Sequence, residues 1–60
     1  MPIVHIDLYE GRSIEKKRTL VEKVTQSICE ALECPPQAVT ILLHDVKKEN
    51  WAAAGKLQSD

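Results

Sequence analysis

The sequence predicts a small α/β (α+β) fold: a single β-α-β unit with parallel strands, followed by a carboxyl-terminal hairpin and completed by oligomerisation. A short segment of period-2 alternation is followed by a long segment with helical spacing and then by a second segment rich in branched apolar residues. A strand, a helix and a strand in this order form a unit whose strands run parallel with a right-handed crossover. With 60 residues in the chain, we expect one domain, residues 1–60.

Residues 3–8 are predicted to form the first strand. Branched apolar side chains recur there at every second position, namely Val4, Ile6 and Leu8. The segment 10–13 then breaks the alternation, because Gly11 is free to adopt a turn conformation. Ser13 is placed to cap a following helix.

Residues 14–33 are predicted to form a long amphipathic helix. Its apolar stripe consists of Leu20, Val21, Val24, Ile28, Ala31 and Leu32. Its charged positions, expected to face water, are Lys16, Lys17, Glu22, Lys23 and Glu30. The helix should end at Cys34-Pro35-Pro36, because proline cannot continue the hydrogen-bond ladder.

Residues 39–46 are predicted to form the second strand, and residues 47–60 a short hairpin or loop. Trp51 is expected to anchor that last segment on a neighbouring subunit. Two strands under one helix cannot cover both faces of a sheet, and a chain this short buries only about 60% of its unfolded surface. We therefore expect other copies of the chain to supply the missing cover.

Charge and composition exclude several classes of protein. The chain has 8 Lys and Arg against 9 Asp and Glu, which leaves no electrostatic footprint for nucleic acid or for an anionic membrane. No apolar run approaches the length of a membrane span, and the amino end lacks the order of a signal peptide. We expect a cytoplasmic protein with free thiols, since the spacing of Cys29 and Cys34 matches no zinc or C-x-x-C redox pattern.

Pro2 raises a chemical question. If Met1 is removed, Pro2 carries a free secondary amine that can accept a proton, whereas an internal proline has a tertiary amide that is not basic. An apolar, partly desolvated site would lower the pKa of such an amine towards the range in which a general base works. The alternative is that Pro2 only begins an edge strand, where no amide hydrogen is needed.

The whole chain resembles the 4-oxalocrotonate tautomerase family, the short-chain members of the tautomerase superfamily. The resemblance is carried by Pro2-Ile3-Val4-His5-Ile6, by Glu10-Gly11-Arg12-Ser13, by Lys16 and Leu20-Val21 in the helix, and by Glu49-Asn50-Trp51. It implies a tautomerase/MIF-like fold that assembles as a hexamer, a trimer of dimers, with each site shared among subunits. A dimer is the alternative assembly.

The resemblance also implies a role for each residue. Pro2 would be the catalytic base of a cofactor-independent isomerase that interconverts the enol and keto forms of a 2-oxo acid, with no metal. Arg12 would bind the carboxylate of this small-molecule substrate, since its fork of donors suits a carboxylate. Trp51 would form part of the apolar wall around the proline, and Tyr9 is close enough in sequence to Arg12 to line the same pocket.

The chain departs from the family pattern at two places. Thr40 stands where well-studied members carry a second arginine, which they supply across a subunit boundary to the carbonyl end of the substrate. Thr40 can donate a hydrogen bond but brings no charge. A smaller enol-pyruvate type of acid is therefore favoured over a dicarboxylate. The glycine-rich turn after the aromatic reads Ala52-Ala53-Ala54-Gly55. A non-catalytic βαβ assembly protein, or a hydratase, dehalogenase or decarboxylase acting at the same site, remains an alternative.

Overall fold

The computed structural model describes residues 1–60 and confirms the predicted architecture. Its elements are β1 (Ile3–Tyr9), α1 (Ile14–Leu32), β2 (Thr40–Val46), β3 (Ala52–Ala53) and β4 (Lys56–Leu57). β1 and β2 form a parallel pair joined through α1, and β3 and β4 form a separate antiparallel pair. The fold is therefore one βαβ unit with a small carboxyl-terminal hairpin.

The β1–β2 pair has one face towards α1 and one open face. The register pairs Ile3 with Thr40 at one end and Tyr9 with Val46 at the other. On the open face, His44 Nδ1 lies 3.1 Å from Asp7 Oδ1. Nothing in the single chain packs over this face, so its polar and apolar side chains are left open to solvent.

Both ends of α1 follow local backbone chemistry. Ser13 caps the amino end as expected, since its hydroxyl oxygen accepts a hydrogen bond from the backbone N–H of Lys16 at 3.2 Å. The helix ends at Leu32, one residue earlier than predicted, because Glu33 adopts a left-handed conformation with φ 54°. A short 3-10 turn at Pro36–Ala38 then delays the start of β2 by one residue, to Thr40.

Lys17 was expected to face water, and that expectation is wrong. Its side chain is only 26% exposed, and its Nζ lies 2.5 Å from Oδ2 of Asp45, which is 42% exposed. The alternation of β2 places Asp45 on the face that α1 covers. A carboxylate on that face makes the inner side of the helix the favourable place for a lysine.

The carboxyl-terminal hairpin turns through Ala54 and Gly55, which both have positive φ, 55° and 78°. Two consecutive residues with positive φ are the signature of a type I′ turn, whose twist suits a two-residue hairpin connection. The altered sequence of this turn therefore still forms a hairpin. It does so with an alanine where Asn or Gly is preferred.

A single copy of the chain has no closed core. Its accessible surface is 4815 Å², whereas a compact monomer of 6.7 kDa would expose about 3,900 Å². No side chain is buried, and Ile3 and Leu42, neighbours on the open face of the sheet, are 56% and 43% exposed. Apolar surface of this kind favours contact with further protein. The helices present lack the combination of length and apolar character that crossing a bilayer requires.

Candidate active site

Pro2 and Thr40 lie together at the end of the sheet where β1 and β2 begin. The backbone N–H of Thr40 donates a hydrogen bond to the carbonyl oxygen of Pro2 at 3.0 Å. Pro2 is half-buried, while Thr40 is exposed. The hydrogen bond uses the carbonyl of Pro2 and leaves its nitrogen outside the ladder.

Trp51 lies at the opposite end of the sheet. Its ring packs on that of Tyr9, the last residue of β1, with the ring centroids 4.5 Å apart and the planes tilted by 56°. Nζ of Lys48 lies 5.8 Å from the centroid of the Tyr9 ring, within the range of a cation–π contact. From the sequence we expect Trp51 to pack against a neighbouring subunit. Within its own chain, Trp51 packs on Tyr9.

Arg12 lies at this second end too. The turn that presents it contains Gly11 at φ 107°, a conformation that glycine adopts without steric cost. One guanidinium nitrogen, Nη1, donates a long hydrogen bond of 3.5 Å to the carbonyl oxygen of Tyr9. The remaining donors of the exposed guanidinium are free of protein partners and available to a carboxylate.

A shallow groove of about 740 Å³ runs beside this end of the sheet. It is lined by Glu10, Gly11, Lys47, Lys48, Glu49 and Ser59. Lys47 and Lys48 were not predicted as site residues. The only feature of the sequence that pointed to Lys48 was its position shortly before the aromatic Trp51. That position indicates a role in the site only once the structure shows the Tyr9 ring beneath Lys48.

The expected site residues thus form two groups that one chain does not bring together. Pro2 and Thr40 lie at the start of the parallel pair, and Arg12 and Trp51 lie beyond its end. β1 has 7 residues, so the groups are separated by roughly 20 Å at the ordinary rise of a strand. A substrate carboxylate held by Arg12 is therefore out of reach of Pro2 of the same chain.

Comparison with known proteins decides the family. The family model described as tautomerase enzyme matches residues 2–60, beginning at Pro2.

The chain belongs to the tautomerase family.

Two curated relatives agree with this assignment. This tautomerase is 42% identical over 60 residues to a probable tautomerase of Halalkalibacterium halodurans, covering 100% of this chain and 98% of that protein. It is 47% identical over 55 residues to the 2-hydroxymuconate tautomerase of Comamonas testosteroni, covering 92% and 87%. Relatives of this closeness support an isomerase of the tautomerase type.

Solved structures support the fold of the tautomerase independently. A 4-oxalocrotonate tautomerase isozyme from Methylibium petroleiphilum superposes with a TM-score of 0.91 at 45% identity, covering 97% of this chain and 94% of that one. A heterohexamer 4-oxalocrotonate tautomerase from Chloroflexus aurantiacus superposes with a TM-score of 0.94 at 25% identity, covering 100% and 97%. The βαβ unit and the hairpin are therefore those of the 4-oxalocrotonate tautomerase fold.

Proposed function

We propose that this tautomerase interconverts the enol and keto forms of a small 2-oxo acid, without a cofactor, by proton transfer through Pro2. The observation that carries the proposal is the position of Pro2. It is half-buried, it is the first residue matched by the family model, and its carbonyl oxygen accepts a hydrogen bond from Thr40 at the start of the parallel pair.

The proposed mechanism needs the removal of Met1, which converts Pro2 into an amino-terminal secondary amine. In its neutral form this amine takes a proton from the substrate beside the carbonyl and returns it further along the conjugated system. Protein packed around the amine disfavours the ammonium form and raises the neutral fraction near pH 7. A base whose pKa lies near the working pH is the most effective proton carrier.

Arg12 and Trp51 complete the proposed site from another copy of the chain. The guanidinium binds the substrate carboxylate with two parallel donors and stabilises the charge that moves towards it as the enol forms. Trp51, held against Tyr9, forms an apolar wall that excludes water. The separation of the two groups of residues and the open sheet face both support assembly with further copies of the chain. The relative from Chloroflexus aurantiacus, described as a heterohexamer, favours a hexamer, a trimer of dimers, over a dimer.

The proposed substrate is a 2-oxo acid with a single carboxylate, of the enol-pyruvate type. The backbone of Thr40 pairs with that of Pro2, and its side chain offers a hydroxyl but no positive charge. A second carboxylate at that end of the substrate would lose its solvation without gaining an ion pair, which is costly in a partly closed site. Relatives named 2-hydroxymuconate tautomerase support tautomerisation as the class of reaction. The uncharged Thr40 favours a substrate smaller than this dicarboxylate.

The test combines a mass measurement with kinetics. The mass of the purified protein is expected to lack Met1, and the Pro2→Ala variant should consume enol substrates, followed by ultraviolet absorbance, at least about 100-fold more slowly. The control is Arg18→Ala, which truncates an exposed side chain on α1 to the same residue. Equal rates for wild type and Pro2→Ala, or full activity of a form that retains Met1, would remove Pro2 from the mechanism. Inactivity of the wild type on all enol acids would favour the non-catalytic alternative.

A further inference from the structure

We propose that Cys29 and Cys34 form a reversible redox pair, a modification site in which an intrachain disulfide closes across the carboxyl end of α1. Both cysteines are free thiols and both are half-buried. The proposal does not depend on the proposed function.

The geometry of the helix end brings the two residues towards each other. Cys29 lies in the last turn of α1, which ends at Leu32. Glu33 then adopts the left-handed conformation, φ 54° and ψ 49°, and reverses the direction of the chain. A residue that follows such a reversal returns towards the last helical turn, where a side-chain contact often accompanies the cap. In this chain the returning residue is Cys34.

The electrostatics of the helix end agree with this placement. Partial burial raises the pKa of the Cys29 thiol, and the neighbouring Cys34 and the Glu30 carboxylate raise it further. Because a thiolate is the reactive form, a raised pKa lowers the reactive fraction of Cys29 at neutral pH. Oxidation through Cys29 is therefore slow near pH 7 and accelerates as the pH rises.

Cys29 is also open to small reagents. It lines a shallow groove of about 540 Å³ together with Glu22, Thr25, Gln26, Glu30 and Pro36. The two carboxylates in this lining make the groove acidic, so an anionic disulfide such as oxidised glutathione is disfavoured but not sterically excluded. The charge of Glu30 thus slows the reaction in two ways: it repels an anionic reagent, and it raises the pKa of the Cys29 thiol.

The chemistry is thiol–disulfide exchange with a low-molecular-weight disulfide as oxidant. One cysteine thiolate attacks a sulfur of the reagent, forms a mixed disulfide and releases one small thiol. The second cysteine thiolate attacks the protein sulfur of that mixed disulfide and releases the second small thiol. The protein loses two protons and two electrons, and the reagent disulfide is reduced to two thiols.

The test uses the full-length protein incubated with oxidised glutathione, acid-quenched and weighed by mass spectrometry without reduction. Wild type is expected to lose two hydrogens, with Cys29 and Cys34 in one linked peptide, and to regain them after treatment with dithiothreitol. The Cys29→Ser and Cys34→Ser variants are expected to stop at a single glutathione adduct, because no second thiol can resolve it. Their circular dichroism checks that each variant is folded.

A second measurement tests the charge that faces Cys29. Glu30→Gln is expected to speed oxidation of the pair roughly threefold at pH 7.5, because it lowers the pKa of Cys29 and makes the groove less acidic. The matched control, Glu15→Gln, lies in the first turn of the same helix and should leave the rate unchanged. Stable adducts on both cysteines of the wild type, or disulfides between separate chains, would overturn the proposal. So would a rate that falls as the pH rises.

Discussion

Thr40 and Pro2 are joined by a backbone hydrogen bond in which the N–H of Thr40 donates to the carbonyl oxygen of Pro2 at 3.0 Å. This hydrogen bond extends the β1–β2 ladder by one residue before the first register pair, Ile3 and Thr40. It places the side chain at position 40 at the same sheet end as the nitrogen that we propose to be the base. Position 40 is therefore well placed to influence which substrates reach Pro2.

Thr40→Arg is expected to shift the substrate preference towards dicarboxylates. A guanidinium at this position offers a charged, bidentate partner for a second carboxylate, and such a hydrogen-bonded ion pair contributes about 1.5–3 kcal/mol. We expect kcat/KM for 2-hydroxymuconate to rise by roughly tenfold or more relative to a monocarboxylic enol acid. Thr40→Gln is the control for side-chain length without charge. An equal change with Gln would assign the effect to shape.

Arg12→Gln is expected to raise KM for carboxylate substrates by roughly tenfold or more, because the fork of charged donors is replaced by one neutral amide. Arg12→Lys keeps the charge and should fall between wild type and Arg12→Gln. The matched control is Arg18→Gln, which removes a surface arginine from α1. Steady-state kinetics checks the order of the variants, and an unchanged KM in Arg12→Gln would contradict the carboxylate-binding role.

Tyr9→Leu is expected to lower the free energy of unfolding by about 1 kcal/mol, because it removes the ring that packs on Trp51. Urea unfolding at fixed protein concentration, followed by the emission of Trp51, measures the effect, since the chain has 1 Trp. Tyr9→Phe keeps the aromatic pair and should unfold within about 0.5 kcal/mol of the wild type. Equal losses for Leu and Phe would show that the ring contact is not what stabilises this end.

Ala54→Gly is expected to stabilise the protein by up to about 1 kcal/mol. Ala54 has φ 55°, where an L residue with a Cβ atom is strained and glycine is not. Ala53→Gly, one residue earlier in β3, is the matched control and should destabilise, because glycine weakens a strand. Thermal unfolding at one protein concentration compares the two. A lower melting temperature for Ala54→Gly would contradict the strain.

Local patterns in the sequence determined most of the fold. The alternation of residues 3–8, the cap at Ser13 and the two prolines after Cys34 fixed the strand, the start of the helix and the region of its end, because each depends on backbone chemistry within a few residues. The end of α1 and the start of β2 each differ by one residue from the prediction, because backbone conformation sets these bounds. Glu33 adopts a left-handed conformation, and no side-chain pattern announced it.

Only the tertiary structure decided which residues face each other. The sequence predicts Lys17 to be a solvated helix residue, but the structure places Asp45 of β2 opposite it. Lys48 likewise has the sequence context of a loop cation, but the structure places its ammonium group over the ring of Tyr9. The predicted strand between Pro2 and Arg12 already separated those two residues, but only the structure showed that Thr40 pairs with Pro2 and that Trp51 packs on Tyr9. Distances between segments depend on the register of the sheet and on the crossover, which are long-range properties that local spacing does not encode.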